Sequence, residues 1–229
     1  LFAFAPDKYT IYPEYFPDTI RQLSPVSRAD QVMTATTDLG VVIDLRQRLL
    51  QHRDEERLFH VTDTHWNPRG AFHAYQQIME NLHARHPKVP PPKQRDELDA
   101  VIRQAPGMDL AGMIGLKRVL GEDDLRYNPK VPRQYVVRVP DGGYATGGDP
   151  VIITEIPGSS LPRAVVFRDS FTSSLAPLLS EHFSRVVYLW QDNFDPKVIE
   201  QEKPDVVLHE MIGRHLHTVF TSPTLVPDP

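Results

Sequence analysis

The final third of the chain constrains the fold most. Ala164 to Phe167 is an apolar run, Phe171 to Phe183 has helical spacing, and Val186 to Trp190 is apolar again. Asp195 to Glu202 then reads as a short helix and Val206 to Leu208 as a further strand. Strand, helix, strand, helix, strand at this spacing requires a parallel sheet with crossover helices. Upstream, Leu1 to Ala5, Val41 to Ile43 and Phe59 to Val61 read as extended pieces, with helices expected over Ser27 to Leu39 and Asp44 to Arg53. A longer helix is expected from about Arg69 to His83, started by Pro68 and Gly70 and carrying an apolar stripe of Phe72, Met79 and Leu82.

The middle is less patterned. Lys88 to Lys93 is a proline-rich turn, and Gln94 to Arg126 reads as helical, with a core segment over Leu110 to Leu120. Gln134 to Val139 and Val151 to Ile156 read as a strand pair around turns at Asp141-Gly142-Gly143 and Gly147-Gly148. The fold expected is one α/β domain over residues 1–220, with a mixed insertion at about 84–160 and a tail over 221–229. Leu1 to Ala5 has no starting Met and no basic flank, so it reads as a strand left by truncation or processing rather than as a signal peptide.

Composition removes several functions. A formal charge of −5, from 25 basic and 30 acidic side chains, gives no strong pull toward nucleic acid. The absence of cysteine excludes disulfides, thiol catalysis and thiolate metal sites. No apolar run is long enough to span a bilayer as a helix.

Two short strings carry chemistry. Ser170 stands between an apolar strand and a helix, where ligands of open parallel sheets gather and helix N–H groups can stabilise an oxyanion. The same position suits a serine that only caps the helix, and Asp169 is an equal candidate for the cap. Asp63 and His65, two residues apart in an extended segment, point to one face, so the carboxylate can steady an imidazole that serves as base. Asp-x-His is also a metal-pair spacing, but no third ligand lies nearby in sequence. Trp66, Asn67 and Pro68 are stiff neighbours suited to fixing that loop.

Thr62-Asp63-Thr64-His65-Trp66-Asn67-Pro68-Arg69-Gly70-Ala71, with Phe167-Arg168-Asp169-Ser170-Phe171, resembles the alginate O-acetyltransferase family of AlgJ and AlgX. The early segment with Lys8, Tyr12, Pro13 and Glu14 is similar too, as are the closing strands from Val186 to Tyr188 and Pro204 to Glu210. The resemblance implies an SGNH-hydrolase-like three-layer fold with Asp63 as orienting carboxylate, His65 as base and Ser170 as nucleophile. Two departures stand out: Arg168-Asp169-Ser170 replaces the Gly-Asp-Ser of many SGNH enzymes, and no block matches the usual Gly and Asn of the oxyanion hole. Arg168, Tyr12, Trp66, Asn67, Glu210 and Arg214 are expected as substrate-binding or supporting residues.

The resemblance implies acetyl transfer to a secreted or cell-surface polysaccharide through an acetyl-serine. No metal or cofactor is needed, and the location is extracytoplasmic, periplasmic or at the cell envelope. It also implies a membrane-bound O-acyltransferase partner that supplies acetyl groups. A polysaccharide O-acetylesterase would use the same first half-reaction, and an inactive carbohydrate-binding or assembly subunit would use none.

Overall fold

The sheet is built from strands whose successive side chains serve two different cores. In Arg163–Arg168, Ala164 and Val166 face one side while Val165 and Phe167 face the other. Arg185–Trp190 repeats this with Val186 and Tyr188 against Val187 and Leu189. Strands buried on both faces need apolar residues at every position, which is why these runs are continuous rather than alternating.

The computed structural model describes residues 1–140, 142–144 and 150–219. Its strands are β1 (Phe2–Ala5), β2 (Val42–Asp44), β3 (Leu98–Ala105), β4 (Glu122–Pro129), β5 (Val136–Arg138), β6 (Ile152–Glu155), β7 (Arg163–Arg168), β8 (Arg185–Trp190) and β9 (Val206–Ile212). Its helices are α1 (Lys8–Ile11), α2 (Arg28–Ala35), α3 (Arg46–His52), α4 (Pro68–Arg85), α5 (Asp109–Met113), α6 (Thr172–Leu179), α7 (Pro196–Glu202) and α8 (Leu216–Val219). Seven strands form one sheet in the order β2-β1-β9-β7-β8-β6-β5. The first five run parallel, and β6 and β5 add an antiparallel edge. Helices α3, α4 and α6 contribute to the larger core on one face, and α7 brings Val198 to the other. This is the three-layer α/β arrangement expected from the sequence.

Several local signals act as expected. Ser27 caps α2 in a reciprocal box with Asp30. Asn67 caps α4 by accepting from Arg69 N–H at 2.9 Å and Gly70 N–H at 3.2 Å. The pair expected at Gln134 to Val139 and Val151 to Ile156 is present as antiparallel β5 and β6.

Apart from the short α5 and a 3-10 turn at Arg95–Glu97, the stretch from Gln94 to Arg126 is not helical. Its ends pair as an antiparallel hairpin, with Leu98 opposite Pro129 and Ala105 opposite Glu122. Few of its side chains reach a core, with Leu98 and Leu125 buried and most others exposed. The ladder of backbone hydrogen bonds therefore forms with little alternation to announce it. Leu110 to Leu120 is likewise not core: only Ala111 is buried, α5 stops at Met113, and Gly115 turns left-handed at φ +73°. Within residues 84–160 the hairpin stands off the sheet, whereas β5 and β6 join it. Gly147, Gly148, Asp141 and the tail 221–229 lie outside the described residues.

Two buried histidines make the fold acid-sensitive. Burial lowers His182 to about 4, with Lys93 adding to the effect, and burial lowers His209 to about 4. Tyr75 and the His182 ring meet at 2.7 Å, which a neutral imidazole can accept. Both groups bind protons more weakly folded than unfolded, so their stability contribution is complete above pH 6.5 and declines as pH falls toward 4. Denaturant titrations should show a loss of about 2 kcal/mol per histidine between pH 7.5 and pH 5. His182→Gln should remove about half of that loss; an unchanged pH slope in the variant would clear His182 of the role.

Candidate active site

The loop after Phe59 is held by groups from four directions. Asn67 donates its side-chain amide to Arg57 O at 2.6 Å while its oxygen caps α4, so one residue ties the loop to the helix. Gly70 permits that closeness, since a Cβ there would lie 2.3 Å from Leu58 O. Lys8, on α1, points its ammonium at three carbonyls: His60 at 2.6 Å, Val61 at 3.1 Å and Asp63 at 3.0 Å. Glu122, at the start of β4, accepts from Val61 N–H at 2.8 Å, Thr62 N–H at 2.9 Å and the Thr62 hydroxyl. α5 closes the fourth side, where Leu110 N–H donates to Thr62 O at 2.9 Å.

Within this frame Asp63 Oδ1 accepts from Thr64 N–H at 2.6 Å and from the His65 ring at Nδ1 at 2.8 Å. Burial raises the Asp63 carboxyl, but His65 and the backbone donors outweigh it and the net direction is down, so the carboxylate is ionised at neutral pH. An ionised carboxylate only accepts, so Nδ1 carries the ring proton and Nε2 is left as the acceptor. Nε2 lies 2.7 Å from Ser170 Oγ. The three side chains named from sequence thus stand in hydrogen-bonding order, at the carboxyl edge of the parallel strands.

The Ser170 turn is fixed from beneath. Asp169 accepts from Phe171 N–H at 2.8 Å and from Ile212 N–H, at the end of β9, at 2.7 Å. Asp169, not Ser170, holds the entry to α6; no side chain caps that helix, which leaves the serine hydroxyl to His65. It also commits the Phe171 N–H, removing it from any set of oxyanion donors. Glu210 is fully buried below this turn and accepts from the Thr172 hydroxyl at 2.7 Å. Burial pushes its carboxyl well up, and the neighbouring Asp169 adds to that.

The remaining expected residues are mostly supports. Trp66 is buried and donates its indole N–H to Phe171 O at 3.1 Å, latching the two loops together. Arg168 is buried rather than superficial: its guanidinium lies 4.3 Å from the Trp190 ring centroid and donates to Asp169 O and Ser173 Oγ, each at 3.2 Å. The Tyr12 hydroxyl accepts from Leu58 N–H at 3.0 Å, at the root of the loop and away from Ser170. Arg214 pairs with Asp7 at 2.8 Å and lies over Phe171, whose ring is 4.8 Å from that of His65. It also borders an open trough of about 850 Å3 along the ends of β1 and β9, lined by Tyr9, Phe16, Arg21, Arg28 and Arg46 among others.

Lys8, as a clamp on the loop, and Glu122 and Asp109 lacked any local signal of their roles in the sequence. Asp109 brings an oxygen within 4.8 Å of ligand atoms on Asp63 and His65, a third candidate donor that no nearby spacing revealed. A metal there would compete for the Asp63 and His65 atoms that already bond each other, so the donor set favours the hydrogen-bonded chain.

Residues 1–149 match the family model described as SGNH hydrolase-like domain, acetyltransferase AlgX. The chain belongs to that family. The match contains Asp63 and His65 and ends before Ser170. No curated protein matches the chain in sequence. Among solved structures, Bacillus cereus PatB1 is 21% identical with a TM-score of 0.71, over 94% of this chain and 82% of that one. A second PatB1 structure carries a sulfonyl adduct. The O-acetyltransferase domain of Pseudomonas putida AlgJ is 18% identical with a TM-score of 0.60, over 98% and 79%. A DHHW family protein from Eubacterium siraeum is 17% identical with a TM-score of 0.70, over 93% and 78%. At these identities the likeness is one of fold.

The geometry links the Ser170 hydroxyl, through the His65 ring, to an Asp63 carboxylate with which it shares no direct hydrogen bond. Asp63→Asn should preserve the fold yet slow sulfonylation of Ser170 by phenylmethylsulfonyl fluoride about a thousandfold, because an amide no longer fixes the Nδ1–H tautomer. Rates followed by mass spectrometry at pH 7.5 check this, and an equal rate in the variant would separate Asp63 from the hydroxyl's reactivity.

Proposed function

We propose that this family member is a serine-dependent O-acetyltransferase acting on a polysaccharide, with Ser170 as nucleophile, His65 as general base and Asp63 as orienting carboxylate. The observation that carries this is the unbroken sequence of contacts from Asp63 through His65 to Ser170 Oγ, at 2.8 and 2.7 Å. Ser170 Oγ attacks the acetyl carbonyl of a donor as its proton passes to His65 Nε2. Asp63 stabilises the imidazolium, which then returns the proton to the leaving group as the tetrahedral intermediate collapses to acetyl-Ser170. In the second half, His65 takes the proton of a sugar hydroxyl, whose oxygen attacks the acetyl-serine carbonyl; as that intermediate collapses, His65 gives the proton to the departing Ser170 Oγ and the serine is regenerated.

The trough beside Arg214 supports a bound sugar as acceptor in place of water. It is one ring away from His65, and Tyr9 and Phe16, 5.4 Å apart, give it aromatic surface on which a sugar can lie. No helix among the described residues is long and apolar enough to cross a membrane. An extracytoplasmic location and a membrane-bound O-acyltransferase as donor partner complete the reading.

Incubation with an activated acetyl ester should place an acetyl group on Ser170, seen by peptide mass spectrometry, and Ser170→Ala should take up none. Adding an unacetylated glycan should discharge the adduct and yield acetylated glycan, with His65→Ala slowing both steps by at least about a thousandfold. Discharge to free acetate at the same rate with and without glycan would make the protein an esterase. Folded wild type that gains no adduct would end the covalent mechanism.

A further inference from the structure

Residues 107–120 form a closed loop between β3 and β4. Gly107 N–H donates to Lys117 O at 2.8 Å, Leu116 N–H to Ala111 O at 2.8 Å and Leu120 N–H to Leu116 O at 2.9 Å. A Cβ at Gly107 would lie 2.3 Å from Leu120 O, so the two arms touch backbone to backbone. The loop is therefore a formed surface with internal backbone bonds.

That surface is apolar and basic. Met113 is 82% exposed, Val119 74% and Ile114 64%, with Leu116 and Leu120 also open to solvent. Lys117 and Arg118 sit among them, and no acidic residue falls between Leu110 and Gly121 in a chain whose formal charge is −5. The nearest acids in sequence, Asp109, Glu122, Asp123 and Asp124, lie at the loop's base. Large contiguous exposed apolar side chains mark an interaction surface. Interleaved cations select an occupant that is apolar inside and negative at its face, which is the profile of an anionic bilayer. Pairing of two copies through this loop across a two-fold axis would bring two Lys117–Arg118 pairs together, and like-charge repulsion opposes it.

We infer that the loop from Leu110 to Leu120 docks on an anionic phospholipid surface, seating Met113, Ile114, Leu116 and Val119 in the interface with Lys117 and Arg118 at the headgroups. The loop's root grips the Asp63 segment: Leu110 and Ala111 N–H donate to Thr62 O, and Met108 N–H donates to Thr62 Oγ1 at 3.0 Å. Docking therefore holds the His65–Ser170 pair close to the lipid face. The inference stands on the loop alone and does not require the acyl-transfer reading.

Flotation of the full chain with phosphatidylcholine–phosphatidylglycerol vesicles tests it, with pure phosphatidylcholine vesicles beside it. Wild type should float with the anionic vesicles and far less with the neutral ones. Lys117→Gln with Arg118→Gln should weaken binding about 25-fold, about fivefold for each cation removed. A Met113→Ser, Ile114→Ser, Val119→Ser triple variant should lose vesicle binding while circular dichroism and thermal unfolding stay unchanged, since these side chains are exposed. Wild type that stays behind with anionic vesicles, or a triple variant that binds as well as wild type, overturns the inference. So does a concentration-dependent dimer in sedimentation velocity that the triple variant abolishes, which would give the loop to a second copy.

Discussion

An imidazole and a hydroxyl 105 residues apart in the chain meet at 2.7 Å because two turns are latched to each other by one buried indole. Neither turn is regular structure, so each has to be held by groups from elsewhere. The Asp63–His65 side hangs from Asn67, Lys8 and Glu122, which satisfy its backbone donors and acceptors in turn. The Ser170 side rests on Asp169, whose two oxygens fix the helix entry and the end of the neighbouring strand. Trp66 joins these two rigid pieces through Phe171 O, which makes the His65–Ser170 distance a property of packing. A site preorganised in this way spends little free energy on alignment during reaction.

Buried charge is distributed to keep this frame stiff. Lys8 and Glu122 hold the same loop from opposite sides, and each finds backbone partners or opposite charge to offset its burial. Beneath the Ser170 turn, burial first and the neighbouring Asp169 second push the Glu210 carboxyl upward. The strands on either side are apolar on both faces. A low-polarity surround strengthens each of these hydrogen bonds and makes loss of any one costly.

The parallel core was legible because strands such as Val165 to Phe167 and Val186 to Leu189 are buried on both faces and so carry an uninterrupted apolar signal. Helix α4 was legible for a different reason: Pro68, Gly70 and an apolar stripe mark its start and its inner face, while the Asn67 cap emerges only in the structure. The three side chains of the hydrogen-bonded chain were legible as residue types with a spacing, Asp63-x-His65 and a strand–Ser170–helix junction. What escaped was everything set by pairing at a distance. The β3–β4 hairpin buries only two apolar side chains well, Leu98 and Leu125, so its sequence lacks alternation and reads as weak helix. Glu122 acts on Thr62, 60 residues upstream, and no local pattern encodes that. Leu110 to Leu120 has the apolar composition of a core segment, yet α5 stops at Met113 and its large apolar side chains stay exposed.

The outermost strand of the sheet, β5, is three residues long and exposes Val136 and Val137. Pro132 stands before it and Pro140 after it, and neither has an amide proton to offer a newcomer. Arg138, which reaches across to Glu155, adds a charge at that rim. A foreign strand arriving there finds only a few rungs on which to climb, bounded by residues that cannot extend the ladder. The sheet is thereby terminated on this side, which protects a β-rich protein from polymerising through its own border.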